Sequence, residues 1–142
     1  MEWRVKPTPR RKARELAVQA VYSWQMSNNS VTDVEVHFLT ENAKRRFDIE
    51  YFQQLFRGVT SRVDELDAEI SQHVDRPIAE IDHIEKAIIR VGVFELKDCL
   101  DVPYRVVINE AIELAKLFAA DDSHKFVNGV LDKTVKRIRP EE

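Results

Sequence analysis

A chain of 142 residues with 44% apolar and 33% charged residues has a globular balance and enough length for one packed core. No apolar run approaches the roughly 20 residues that a membrane-crossing helix needs, and the single Cys99 excludes an intrachain disulfide and a multi-cysteine zinc site. The net charge of −3 hides an asymmetry, because Arg4, Lys6, Arg10, Arg11, Lys12 and Arg14 face only Glu2 in the first fourteen residues and leave a body at −8. A basic head on an acidic body is placed to meet a polyanion.

The start MEWRVKPTPRRKAR has no apolar segment behind it, so it is not a secretory signal, and the cytoplasm is the expected compartment. Residues 1–7 are expected to form a flexible extension, and 8–142 a single domain. Thr8-Pro9 begins a helix: Thr caps and Pro fits the first turn. Ala13, Leu16, Ala17, Ala20, Val21 and Trp24 mark its apolar face through about Met26. Arg10, Arg11 and Arg14 are expected to project elsewhere. Cations at a helix N-terminus oppose the macrodipole, so local helix stability does not explain them, whereas a phosphate-bearing partner does.

Ser27-Asn28-Asn29-Ser30 reads as a loop, followed by a short helix over roughly Asp33 to Asn42 with Val34, Phe38 and Leu39 turned inward. Lys44-Arg45-Arg46 is a second basic knot, read as a solvated loop. Asp48 caps a long helix expected to reach Val74, with Phe52, Leu55, Phe56, Val59, Val63, Leu66 and Ile70 buried. Glu50, Asp64, Glu65, Asp67 and Glu69 should form its outer, acidic face. Asp75-Arg76-Pro77 breaks it. Asp82 and Glu85, at capping-box spacing, open a helix to about Leu100. Gly92 inside that helix implies close approach of another one. Asp101-Val102-Pro103 ends it.

Two amphipathic helices close the chain. Ile108, Ala111, Ile112, Ala115, Phe118 and Ala119 line one, and Phe126, Val127, Val130, Leu131 and Ile138 the other. Asp122 and Ser123 between them read as N-caps. Such a pair needs partner surface from the rest of the chain. The reading is all-α with about seven helices. Isolated glycines give no phosphate loop, the four histidines form no metal-ligand spacing, and the neighbours Asp122-Ser123-His124 cannot converge as a triad does. No catalysis, metal or cofactor is expected.

Three blocks, RRKARELAVQAVYSWQ, DVPYRVVINEAIELAK and DDSHKFVNGVLDK, resemble in order and spacing the bacterial NusB family of transcription antitermination factors. The resemblance implies two packed helical subdomains. It also implies binding to the boxA element of nascent transcripts, chiefly of ribosomal RNA operons. The partners it implies are the ribosomal small-subunit protein NusE, in a heterodimer, and then RNA polymerase and other Nus factors. The family's Arg-rich motif falls on Arg10, Arg11 and Arg14, with Lys6 just ahead. Asp122, Lys125 and Phe126 match its RNA-facing surface, and Tyr22 and Glu85 match positions facing RNA or partner. Ribosomal RNA cytosine methyltransferases share such a domain but continue into a catalytic one, for which this length leaves no room.

Physically, Phe126 offers a flat surface to an unpaired base, while Asp122 or Glu85 can accept from a base amine. Core packing is the rival role for Phe126. On this reading, replacing Arg10 or Arg14 with Ala weakens RNA binding with little loss of stability. The alternative is a protein-interaction module, or a homodimer, whose basic helix meets an acidic protein surface.

Overall fold

The computed structural model describes residues 8–142. The expected flexible extension, Lys6 included, lies outside them. Seven α-helices follow one another: α1 Pro9–Met26, α2 Val31–Glu41, α3 Ile49–Ser61, α4 Val63–Ser71, α5 His83–Asp98, α6 Tyr104–Phe118 and α7 Ser123–Ile138. A 3-10 turn, Ile78–Glu80, precedes α5. The described residues contain no strand.

Polar side chains set most of the starts. Thr8 Oγ1 accepts from the Arg11 N–H at 3.0 Å, and Asp48 accepts from that of Tyr51 at 3.0 Å. Asp82 Oδ1 takes the N–H groups of both Ile84 and Glu85. Helix α2 starts two residues earlier than its apolar pattern suggests, because Ser30 closes the cap with the Asp33 N–H. The expected cap of α7 is not formed by a side chain. Asp122 instead adopts a left-handed backbone, φ 71°, and its carbonyl receives the Lys125 N–H.

The helix expected from Asp48 to Val74 is two helices. At Arg62, φ −123° and ψ 25°, the N–H is shared between the Gly58 and Val59 carbonyls and the axis is redirected. No Gly or Pro marks the break. Its consequence is packing: α3 lies on α1 and α5, whereas α4 lies on α5 and α7. The turn also carries Glu69 inward, contrary to its expected outer position. Glu69 is 3% exposed, and it accepts from Arg137 Nε at 2.8 Å and meets His73 Nε2 at 2.8 Å. Arg137 foremost, with His73, holds its carboxyl down to about 2 against the cost of burial.

Helix α5 is the axis of the molecule. Every residue from Lys86 to Leu96 is buried, and the helix packs on α1, α3, α4, α6 and α7. It thereby joins an N-terminal group, α1 to α3, to a C-terminal group, α4 to α7, through one continuous core. The surface that α6 and α7 require is supplied chiefly by α5. Two glycines allow the close fit. A Cβ on Gly92 would touch Leu131 at 3.0 Å, and one on Gly58 would fall 2.2 Å from the Phe94 ring. Cys99 is buried as expected, and that burial pushes its thiol up.

Candidate nucleic-acid interface

The first turns of α1 carry the basic cluster, and the fold treats its members differently. Arg10 is exposed and lays its guanidinium 4.2 Å above the Tyr51 ring. Arg11, 47% exposed, is held in a fork by Glu110 of α6: Nε lies 3.0 Å from both carboxylate oxygens and Nη2 2.7 Å from Oε2. The Glu110 hydrogen bond and charge raise the Arg11 pKa further. Lys12 pairs with Glu15 at 3.1 Å.

Arg14 corrects the reading that it projects to solvent. It is 4% exposed, with Nε 3.0 Å from both oxygens of buried Glu95 and Nη1 3.4 Å from Glu110. Tyr51 donates its hydroxyl to Glu95 Oε2 at 2.5 Å, and burial pushes that phenol well up. Desolvation opposes the Arg14 charge, but Glu95 more than offsets it and the guanidinium pKa rises. Arg10 and Arg14, four residues apart, share the helix face toward Tyr51, and Arg14, one turn further in, also meets Glu95 of α5 beside the buried Ala13, Ala17 and Val18.

The second basic knot is drawn to the same end of the molecule. The Asp48 N–H bonds the Pro9 carbonyl at 3.0 Å, which brings the turn bearing Lys44, Arg45 and Arg46 against the start of α1. All three side chains are exposed. Nothing in the sequence signals this proximity, because it depends on how α3 docks on α1.

The other expected positions lie apart. Tyr22 is twelve residues beyond Arg10, about 18 Å along the helix. It is 38% exposed at a cleft of about 360 Å³ shared with Gln19, Asp82, His83, Ile84 and Phe118. Glu85 is half-buried on the first turn of α5. Arg11 of α1 thus meets Glu110 of α6, while Tyr22 and Phe118 line the same cleft further along. Leu114 and Leu117 line the smaller cleft beside Arg11. From Phe118 a short turn leads to the start of α7.

There Asp122 and Lys125, both about three-quarters exposed, pair at 3.2 Å. Phe126 is half-buried rather than fully in the core, and the Arg76 guanidinium lies 4.4 Å over its ring. An open groove of about 240 Å³ runs past Phe126, lined also by His73, Lys125, Gly129 and Lys133. Gly129 faces nothing within 4 Å. A glycine in mid-helix costs roughly 1 kcal/mol against Ala, and no internal contact repays it here. Arg76, Gly129 and Lys133 are site neighbours that sequence reasoning missed; the mid-helix glycine was the available signal.

Comparison with known proteins places these patches in context. The NusB family model matches residues 11–136. The transcription antitermination protein NusB of Colwellia psychrerythraea is 74% identical over 138 residues, covering 97% of this chain and 100% of its own. A structure of T. maritima NusB superposes with a TM-score of 0.81 at 29% identity, over 93% of this chain and 94% of that one. A structure of antitermination factors NusB and NusE in complex with dsRNA gives a TM-score of 0.81 at 27% identity, over 90% and 96%. With the family pattern running through all seven helices and the same fold in its solved members, the chain belongs to the NusB family.

Proposed function

We propose that this protein is a non-enzymatic antitermination factor that binds boxA RNA in nascent ribosomal RNA transcripts. In this reading it acts as a heterodimer with NusE inside an RNA polymerase complex that includes other Nus factors. The observation that carries the reading is the exposed cationic end built from Arg10, Arg11 and the Lys44-Arg45-Arg46 turn. Family membership supports it, as does likeness to a NusB that was solved with NusE and RNA. Arg10, Arg11 and Lys125 serve as phosphate contacts, and Lys6, four residues before Arg10 in the sequence, is proposed as a further one. Phe126 presents a face for a base, with Asp122 or Glu85 accepting from a base amine. Tyr22 and Glu85, at the cleft end of α1, face NusE or the RNA that it extends.

Binding of a short boxA RNA and a scrambled control, with and without NusE, tests this reading. Preference for boxA that tightens with NusE is the expected result. Equal, purely salt-driven binding of both RNAs would leave only a basic patch. Arg10→Ala should weaken binding and lower the salt slope by about 0.7, the share of one single-strand phosphate contact. Its stability should fall by less than about 1 kcal/mol, since Arg10 is exposed and the contact at stake is stacking on Tyr51.

Gly129→Ala separates stability from binding. Its Cβ enters open space, so the helix should gain roughly 0.5–1 kcal/mol. The same methyl raises the floor of the groove beside Phe126, and boxA binding should weaken severalfold. Thermal melts and RNA titrations on one preparation check both. A more stable variant with undiminished binding would show that no ligand approaches α7 there.

A further inference from the structure

Folding changes the electrostatics of the basic head. Four cations of the first α1 turns, Arg10, Arg11, Lys12 and Arg14, stand among four carboxylates, Glu15, Glu95, Glu110 and Glu113. Three of those carboxylates come from α5 and α6, about eighty to a hundred residues away in sequence. The one that matters for a ligand is Glu110. It occupies one full edge of the Arg11 guanidinium, the Nε–Nη2 edge that a phosphate would take in a bidentate contact. Its side chain is 12% exposed and carried by a helix packed on α5 and α7, so it does not swing freely into water.

Glu95 differs. It is 2% exposed, balanced by Arg14 and the Tyr51 hydroxyl, and out of reach of solvent. Glu113 differs in the other direction: it is exposed, lies 4.0 Å from Lys116, and acts on Arg11 only through its charge. Glu110 alone among these groups is hydrogen-bonded to an exposed arginine, so an anion that approaches Arg11 competes with it.

We infer that Glu110 is an affinity-setting residue that occupies the phosphate-binding edge of Arg11, so that RNA binds by exchanging a phosphate oxygen for this carboxylate. The inference rests on the RNA-binding reading of α1 and adds a built-in competitor to it. The exchange makes Arg11 an attenuated contact. A phosphate gains the fork of the guanidinium only as Glu110 gives it up, and the displaced carboxylate remains nearby and repels. The effect is to hold down sequence-independent binding to any single strand. An RNA that gains additional contacts, through Phe126 or through a partner, overcomes it.

The test compares Glu110→Gln, Glu113→Gln and Arg11→Ala with the wild type, using boxA and scrambled single-stranded RNA at about 50 and 200 mM salt. Both glutamine variants change net charge equally. Only Glu110→Gln releases the Arg11 fork, and Gln keeps an oxygen that can accept from it weakly. Arg14 retains Glu95, so the fold is expected to hold, and circular dichroism and a melt verify this.

Glu110→Gln should bind both RNAs about three- to tenfold tighter at the lower salt, with a slope steeper by up to about 0.7. Glu113→Gln should change affinity less than twofold. The boxA to scrambled ratio should shrink in Glu110→Gln, because the gain is shared by all sequences. Equal tightening in both glutamine variants would reduce the effect to general charge and overturn the inference. Weaker or unchanged binding in Glu110→Gln would also overturn it, since Glu110 would then be orienting Arg11 or lie outside the path. If Arg11→Ala weakens binding while Glu110→Gln does not tighten it, only the role of Glu110 falls. If all four proteins bind alike, or none binds, the RNA reading of α1 falls with it.

Discussion

Arg14→Met is expected to destabilise the protein by about 3–5 kcal/mol, the usual cost of removing one member of a buried ion pair. The guanidinium satisfies both oxygens of Glu95, a carboxylate that is 2% exposed. Without it, Glu95 keeps only the Tyr51 hydroxyl in the described structure. A loss of that size is a large part of the 5–15 kcal/mol that holds a typical domain together. Urea or thermal unfolding measures it. The decisive arm is the double variant Arg14→Met, Glu95→Gln, which should be more stable than Arg14→Met alone. The amide can still accept from Tyr51, and no uncompensated charge remains buried. A double variant no better than the single one would show that packing of the Arg14 stem, rather than charge, is what the site needs. A fall in RNA binding by an Arg14 variant therefore reports folding first.

Arg139 should be nearly as sensitive. It follows α7, is buried, and turns its guanidinium onto the end of α5. Nε donates to the Leu96 carbonyl at 2.9 Å, Nη1 to that of Val102 at 2.6 Å, and Nη2 to those of Glu95 and Cys99 at 3.1 Å. One side chain thus serves four main-chain acceptors at the end of α5 and its exit turn. It also places a cation against the negative end of the α5 dipole. Arg139→Ala should cost about 2–3 kcal/mol, because the Leu96 and Val102 carbonyls lose their donor at on the order of 1 kcal/mol or more each, whereas those of Glu95 and Cys99 keep the Cys99 and Val102 N–H groups. Arg139→Lys should recover less than half, since an ammonium cannot span four acceptors as the planar fork does. Amide hydrogen exchange of residues 96–104 should speed up in both. A melt within about 1 kcal/mol of wild type for Arg139→Ala would refute this role.

Neither residue could be given these roles from the chain alone. Arg14 lies in a run of four cations, and its partner Glu95 is 81 residues away. Arg139 stands just past the last apolar position of the final helix, and its main-chain acceptors lie 37 to 44 residues away. Both belong to α5 in effect, and α5 itself looked like one amphipathic helix among several. Its near-complete burial follows from five neighbours that no local pattern announces. The same holds for Glu69, which follows the acidic residues of an apparently solvated face and yet is enclosed once the axis breaks at Arg62.

What the sequence determined by itself is the local physics. Apolar residues at spacings of three and four fix a helix and its inward face, and Thr8, Asp48 and Asp82 bond N–H groups two or three residues on. These interactions are complete within one or two turns, so a single chain suffices to read them. The three motif blocks, in their order, carried the resemblance to the family, which is a likeness of sequence and not local physics.

Which charges are free depends on packing between distant helices. An arginine at the start of α1 becomes a buried clamp, a forked surface pair or an exposed contact, according to whether Glu95, Glu110 or Tyr51 lies opposite. Coulomb and hydrogen-bond energies depend on separation in space and on exclusion of water, neither of which scales with separation along the chain. The charge inventory was legible from the residues. The electrostatic surface came into being when α5 and α6 packed near α1.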